Sequence, residues 1–302
     1  MGSPDFAVPS LEILISDNHN IPAVVTTIDK KKGRGLKFQY SPVKDYCVRN
    51  GINVLQPENL KDESFIEHIK KLNPDLIIVV AFRILPKILF EIPKYGSINL
   101  HASLLPKYRG AAPINWAIIK GEKITGLTTF FLNDKVDTGN IILQEKYEIL
   151  NEDNYGTLYK KLAIAGANLL KKTVDIIDSG NYNLLKQDES EVSPAPKIKK
   201  ENCKINWDLS SVEIHNFIRG LSPSPGSFTN YNGKFVKIYK SQLTDIISEN
   251  NKGTIVIADK RLYVCTNDML IEILDLQLEG KNKITSKEFI NGIDKSGKHK
   301  FD

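Results

Sequence analysis

Between Asp75 and Ala81 the chain reads Asp-Leu-Ile-Ile-Val-Val-Ala, with no polar side chain after the aspartate. A strand with one wet face alternates apolar and polar residues. An unbroken apolar run marks a strand covered on both faces, and such strands belong to parallel sheets with helices packed above and below. The neighbouring sequence supplies the partners. Ile21–Thr27 and Ile52–Leu55 are strand-like, and Ile98–His101 is a further short strand. Leu11–Ile15, Lys61–Leu72, Ala111–Lys120 and Asn154–Ser179 have helical spacing. Ser41-Pro42-Val43 opens another helix, with serine at the cap and proline at the first position. Thr125–Leu132 and Ile141–Ile149 alternate more, as half-exposed strands do. Strands alternating with helices predict an α/β domain with a mostly parallel sheet.

The pattern changes after Gly180. Gln187–Pro196 is polar and proline-bearing and reads as a linker, followed by the basic Lys197-Ile198-Lys199-Lys200. Val212–Leu221 has helical spacing and stops before Ser222-Pro223-Ser224-Pro225-Gly226. Short strands then recur at Lys234–Lys240, Gly253–Ile257, Arg261–Thr266 and Met269–Gln277, with Asn232-Gly233 as a hairpin turn. Such spacing predicts a small β-barrel. A chain of 302 residues is expected to hold two domains. They are placed at residues 1–182 and 204–302, with a linker over 183–203. A cut near Ser193 is expected to leave the first domain folded.

The composition, 41% hydrophobic and 25% charged, is that of an ordinary globular protein. No apolar run approaches the ~20 residues that span a bilayer. The N-terminus has neither the basic and apolar regions of a signal peptide nor the Ser or Thr at position 6 that myristoylation requires. Cys47, Cys203 and Cys265 stand far apart, without metal-ligand spacing. No disulfide framework and no metal site are expected, and a reducing cytoplasm fits. The net charge of +5 permits a polyanionic partner without requiring one. Asp29–Lys37 packs five cations and one acid around Gly33 and Gly35. On charge alone it reads equally as a solvated loop or as an arm for phosphates. No GxGxxG follows a strand, which sets aside a nucleotide-cofactor dehydrogenase.

The chemistry concentrates in Ser97–Ile114. Asn99 and His101 lie two residues apart on one strand, so both project from one face. They sit near the carboxyl end of that strand, where ligands bind in open α/β sheets. A neutral histidine can move a proton at an attacking nucleophile, and an asparagine amide can donate to a developing oxyanion. A bare Asn-x-His also suits a hydrogen-bonded strand histidine. Further on, Asp137-Thr138-Gly139 forms a tight turn that aims a carboxylate back at the sheet edge.

The pair HASLLPKYRGAAPIN and DTG closely resembles the folate-dependent formyltransferase family. The likeness extends over nearly the whole chain, through GSPDFAVPSL, GRG followed by SPVK, VLQPENLKD, GTLYKKLA and KINWDLSSVEIHNFIRGLSPSPGSF. These segments resemble the branch that formylates a charged tRNA. The resemblance implies a Rossmann-like formyltransferase domain followed by a small OB-like β-barrel that helps hold tRNA. It implies transfer of a formyl group from 10-formyltetrahydrofolate, as co-substrate, to the α-amine of initiator methionyl-tRNA. Asn99, His101 and Asp137 match the family's catalytic trio. Ser103, Leu104, Leu105 and Pro106 match its folate-contacting loop. Arg34, with Lys31 and Lys37 beside it, matches a basic loop that enters the tRNA acceptor end. Lys197, Lys199, Lys200 and Lys204 read either as solvated linker or as a track for the acceptor stem. No metal, no membrane association and a monomer acting in the cytoplasm are expected.

Two departures stand out. Ala81-Phe82-Arg83-Ile84-Leu85-Pro86 is one residue shorter than the usual family loop, which implies a reshaped pterin side. Family members also begin with an apolar strand before the glycine loop, whereas this chain starts at Met1-Gly2-Ser3-Pro4. Met1 is read as an internal methionine that ends the first strand, with an apolar stretch expected in the upstream reading frame. As written, Ile21–Thr27 and Asp75–Ala81 should flank a gap of ~9–10 Å that closes by re-pairing or stays empty, with Met1–Asp5 displaced. The hydrolase and sugar-amine branches of the family share the N-terminal motifs, and a non-catalytic tRNA-binding module is a further rival.

Overall fold

The computed structural model describes residues 1–32, 37–293 and 299–302, and for 30–32 and 37 the backbone alone. The elements in chain order are α1 (Val8–Ser16), β1 (Val24–Val25), β2 (Lys30–Lys32), β3 (Lys37–Gln39), α2 (Pro42–Arg49), β4 (Val54–Leu55), α3 (Glu63–Leu72), β5 (Ile77–Val80), α4 (Lys87–Phe90), β6 (Ser97–His101), α5 (Pro113–Ile119), β7 (Ile124–Phe131), β8 (Ile141–Glu148) and α6 (Tyr155–Ser179). Then come α7 (Ser211–Gly220), β9 (Ser227–Tyr231), β10 (Lys234–Ile247), β11 (Ile255–Ala258), β12 (Arg261–Cys265), β13 (Met269–Leu278), β14 (Lys283–Thr285) and α8 (Ser286–Asn291). The caps follow the sequence. Ser41 accepts from Lys44 N–H at the start of α2, and Asp62 from Phe65 N–H at the start of α3.

Contacts divide the chain into two units that interleave along the sequence. The first comprises Met1–Gly110, Ile124–Glu148 and Tyr159–Pro194; the second comprises Ala111–Lys123, Ile149–Leu158 and Ala195–Asp302. A single linker over 183–203 does not describe this arrangement. Residues 183–194 belong to the first unit, and α5 belongs to the second.

In the first unit β1 pairs with β4 and β5 with β6, both parallel. From β6 onward the pairing is antiparallel, β6 to β7 and β7 to β8. The unbroken apolar run is β5, and β8 shows the alternating burial of a half-exposed strand. Gly166 of α6 rests on Leu100 of β6; a Cβ there would come within 2.8 Å of Leu100 Cδ2. The basic segment expected as a loop is an antiparallel hairpin at its ends, β2 with β3, register Lys31 to Phe38 and Lys32 to Lys37.

The sheet has a slot between β1 and β5. These two strands do not pair; Met1–Gly2 stands between them at the carboxyl end. Gly2 N–H donates to Val25 O at 3.0 Å, Val80 N–H donates to Met1 O at 2.9 Å, and the Met1 amine donates to Ile78 O at 2.6 Å. Contrary to expectation, then, Met1–Gly2 is not displaced; it forms the stub of a central strand. Behind it the gap stays open as a cavity of about 520 Å³, lined by Val24, Ile77, Ile78, Leu72, Leu14 and Val174 among others.

In the second unit an antiparallel sheet runs β11-β12-β13-β10-β9, with β14 on β13. Its core gathers Trp207, Ile214, Ile218, Val236, Ile271 and Phe301. Among the described residues β9 and β11 do not pair directly, and what is seen is an antiparallel sheet. The C-terminal residues reach both edges instead: Asp302 exchanges two backbone hydrogen bonds with Asn230, and Ile255 N–H donates to His299 O at 2.9 Å. No helix among the described residues is long and apolar enough to cross a membrane.

Candidate active site

Asn99 and His101 leave β6 on one face, opposite the face that Leu100 presents to α6. Asn99 is half-buried, between Val79 of β5 and Phe130 of β7 in the ladder. Among the described residues its carboxamide has no hydrogen-bond partner, which leaves both N–H donors available.

His101 is 6% exposed. Its Nε2 lies 2.9 Å from the carbonyl oxygen of Tyr108. A carbonyl only accepts, so Nε2 carries the hydrogen and Nδ1 is the lone-pair nitrogen of the neutral ring. Nδ1 faces Asp137 Oδ2 at 3.9 Å, near enough for charge to act and too long for a direct hydrogen bond. Tyr108 holds a left-handed φ of +61°, unusual for a bulky residue. Its N–H donates to Ser193 Oγ at 2.9 Å, one of the bonds that fix that conformation.

Asp137 also has a left-handed φ, +55°. Its Oδ2 accepts the Gly110 N–H at 2.9 Å, so the carboxylate ties its own turn to the loop after β6. Gly139 must be glycine, because a Cβ would fall on the Phe131 carbonyl oxygen.

Nothing in the sequence flagged Gln187, which lies in the segment read as a linker. It is 5% exposed. Its Nε2 donates to Asp137 O at 2.9 Å and Gly139 O at 2.8 Å, and its Oε1 accepts from Arg109 Nε at 3.0 Å and Nη2 at 2.7 Å. Arg109 also binds both carboxylate oxygens of Glu189, and this hydrogen bonding holds the Glu189 carboxyl below its usual range. Arg109 N–H donates to Ser193 O at 2.9 Å. Residues 187–193 are therefore a strap across the Arg109 loop and the Asp137 turn. A polar stretch with prolines carries no periodic signal that separates a strap from a linker.

The four residues matched to a folate loop divide. Ser103 is fully buried, its Oγ donating to Lys107 O at 2.6 Å and its carbonyl accepting from Thr128 Oγ1 at 2.7 Å. Leu105 is buried with Phe130 and Ile141, and its carbonyl accepts from Gln144 Nε2 at 2.7 Å. These two build the loop, while Leu104 and Pro106 are half-exposed. Leu104 packs over Gly126 of β7, where a Cβ would collide with it. In the short Ala81–Pro86 loop, Ala81 has φ +48°, Arg83 folds back to donate to Pro57 O and Glu58 O at 2.8 and 2.9 Å, and Ile84 is 75% exposed. Of the basic hairpin, Lys31 and Lys37 are placed by backbone alone, and Arg34 lies outside the described residues. Lys197, Lys199, Lys200 and Lys204 are exposed in the second unit. Among the described residues no cluster of three His, Cys, Asp or Glu could hold a metal. The large cavity includes none of Asn99, His101 and Asp137.

Residues 1–174 match the family model described as formyl transferase, and residues 197–294 match the one described as formyl transferase, C-terminal domain. The methionyl-tRNA formyltransferase of Flavobacterium johnsoniae is 45% identical over 298 residues, covering 97% of this chain and 95% of its own. That of Thermodesulfovibrio yellowstonii is 47% identical over 293 residues, covering 96% and 94%. Among solved structures, an N-formyltransferase of Helicobacter canadensis in complex with folinic acid and dTDP-3-aminofucose is 26% identical with a TM-score of 0.68, covering 94% of this chain and 97% of that one.

Proposed function

The chain belongs to the formyl transferase family, and from that premise we propose that it transfers a formyl group from 10-formyltetrahydrofolate to the α-amine of initiator methionyl-tRNA. The observation that carries the chemistry is one face of β6. It presents an asparagine amide that has no partner among the described residues, beside a histidine whose lone-pair nitrogen faces a carboxylate at 3.9 Å.

The amine nitrogen attacks the formyl carbon, and the carbonyl electrons move onto oxygen. Asn99 donates to that oxyanion. His101 Nδ1 takes the proton released by the amine and returns it to the departing folate nitrogen as the carbon–nitrogen bond breaks. The Tyr108 carbonyl holds the ring through Nε2, and Asp137 stabilises the imidazolium while it carries that proton. No redox step and no metal enters this sequence. We assign the folate to the loop Ser103–Pro106, of which Leu104 and Pro106 are half-exposed.

Relatives named for methionyl-tRNA are 43–47% identical, against 26% for the structure solved with an amino sugar, which supports tRNA as the acceptor. We assign the acceptor end to the basic segment that includes Lys31, Arg34 and Lys37, and the stem to Lys197, Lys199, Lys200 and Lys204 in an OB-like second unit. The enzyme then works as a cytoplasmic monomer. The test is formylation of charged initiator tRNA by the purified protein, beside a dTDP-amino sugar at equal folate concentration. Formyl-methionyl-tRNA as the favoured product is expected; formylation of the sugar alone sinks the tRNA reading.

A further inference from the structure

The Gln187 carboxamide uses all four of its hydrogen-bonding positions, two toward Arg109 and two toward the Asp137 turn. Its orientation is fixed by its partners. Guanidinium only donates and the two carbonyls only accept, so the amide cannot be turned over. The carbonyls it holds are those of Asp137 and Gly139, on either side of Thr138. Asp137 itself sits in a left-handed conformation that an L-residue adopts at a cost, and such conformations persist where surrounding bonds over-determine them. Among the described residues, the Asp137 carboxylate is held by the Gly110 N–H, on the loop that Arg109 precedes. Gln187 therefore closes a ring: Arg109 to Gln187, Gln187 to the Asp137 backbone, the Asp137 carboxylate to Gly110.

We propose that Gln187 is a positioning residue for formyl transfer, fixing the Asp137 carboxylate against His101 by tying the Asp137 turn to Arg109. This rests on the assignment of Asn99, His101 and Asp137 as the reacting site. Gln187 touches neither substrate in that reading; it acts through Asp137.

Gln187→Glu is the informative change. It keeps the volume and the partner of Arg109 but sets a carboxylate oxygen against two carbonyl oxygens, so the turn must shift. A misplaced catalytic group costs up to ~100-fold, so kcat should fall ~10–100-fold. KM for folate and for tRNA should stay within ~2-fold, because uniform binding is untouched. Gln187→Met, which removes the donors without adding charge, should behave alike if the glutamate variant folds poorly. Because the residue acts through Asp137, adding Gln187→Glu to Asp137→Asn should cost less than ~2-fold more. An unchanged kcat in both single variants, or losses that multiply in the double variant, overturns the proposal. Wild-type protein is run in the same assay, and its inactivity would overturn the functional reading instead. Amide exchange at Gly110, read by NMR, then decides the positioning role: faster exchange in Gln187→Glu supports it and unchanged exchange overturns it.

Discussion

Asn99 and Gln187 are both neutral carboxamides, and their surroundings set opposite tasks. Gln187 has every donor and acceptor engaged, so it holds structure. Asn99 is half-buried with no partner among the described residues, so its donors are available to a reacting oxygen. A side chain without native hydrogen bonds contributes little to folding and can contribute much to turnover. Asn99→Ala should therefore lower kcat by ~10²–10³, the loss typical of one oxyanion donor, with the melting temperature within ~2 °C of wild type. Turnover and calorimetry on the same preparation check this; full activity in the variant removes Asn99 from the mechanism. His101 cannot be probed so cleanly, because its Nε2 bond to Tyr108 O also supports the loop.

At the level of elements, the first unit is a sheet whose central position is only partly filled. The Met1 amine, donating to Ile78 O, stands where a strand would continue with an amide. Burial pushes this amine down from 8.0 to about 5. The native amine is thus neutral where the unfolded amine is charged. Its contribution to stability is complete above pH 8 and is lost as pH falls toward 5, by up to ~1.4 kcal/mol per pH unit. Extending the chain by five apolar residues before Met1 replaces the amine with an uncharged amide and puts side chains into the 520 Å³ cavity. The extended protein should melt higher and lose the Met1 share of the pH slope between 8 and 5, keeping the share below 6.5 that comes from His215, which burial pushes down to about 4. Urea unfolding at pH 5.5 and 8 checks it, and an identical slope in both chains rules the account out.

For the whole molecule, the interleaving of the two units matters more than the number of domains. Helix α5 lies early in the chain but belongs to the second unit, where its Asn115 Nδ2 donates to Gly220 O of α7 at 2.8 Å. The approach is close: a Cβ at Gly220 would come within 2.6 Å of Ile119 Cγ1. A fragment ending at Pro194 keeps α5 and loses α7. Ile119 of that helix is the residue that Gly220 of α7 covers. Uncovering such a residue costs up to ~1.5–3 kcal/mol. The fragment should melt well below the intact protein or aggregate, contrary to a first domain that folds alone. A cooperative melt at the parent temperature would show that α5 does not depend on α7.

Local signals determined what local physics controls. The apolar run at Ile77–Val80, the serine cap at Ser41, the alternation in β8 and the two-residue spacing of Asn99 and His101 all depend on neighbours in sequence, and all were legible there. The Asp137 turn was legible because Gly139 is required by a close approach to Phe131, although the sequence did not say what the turn would meet. Partners remote in the chain were decided only by the tertiary structure. Gln187 reaches Arg109 across 78 residues, and nothing in its polar segment distinguishes a strap from a linker. Ser103 and Leu105 match a ligand-contacting loop, and their side chains lie inside it, where the Ser103 hydroxyl donates to Lys107 O and Phe130 and Ile141 pack on Leu105. Hydrophobic period records which face is buried. Hydrogen bonds between loops leave no period, so the folded chain alone reveals which polar residues build the site and which remain free to react.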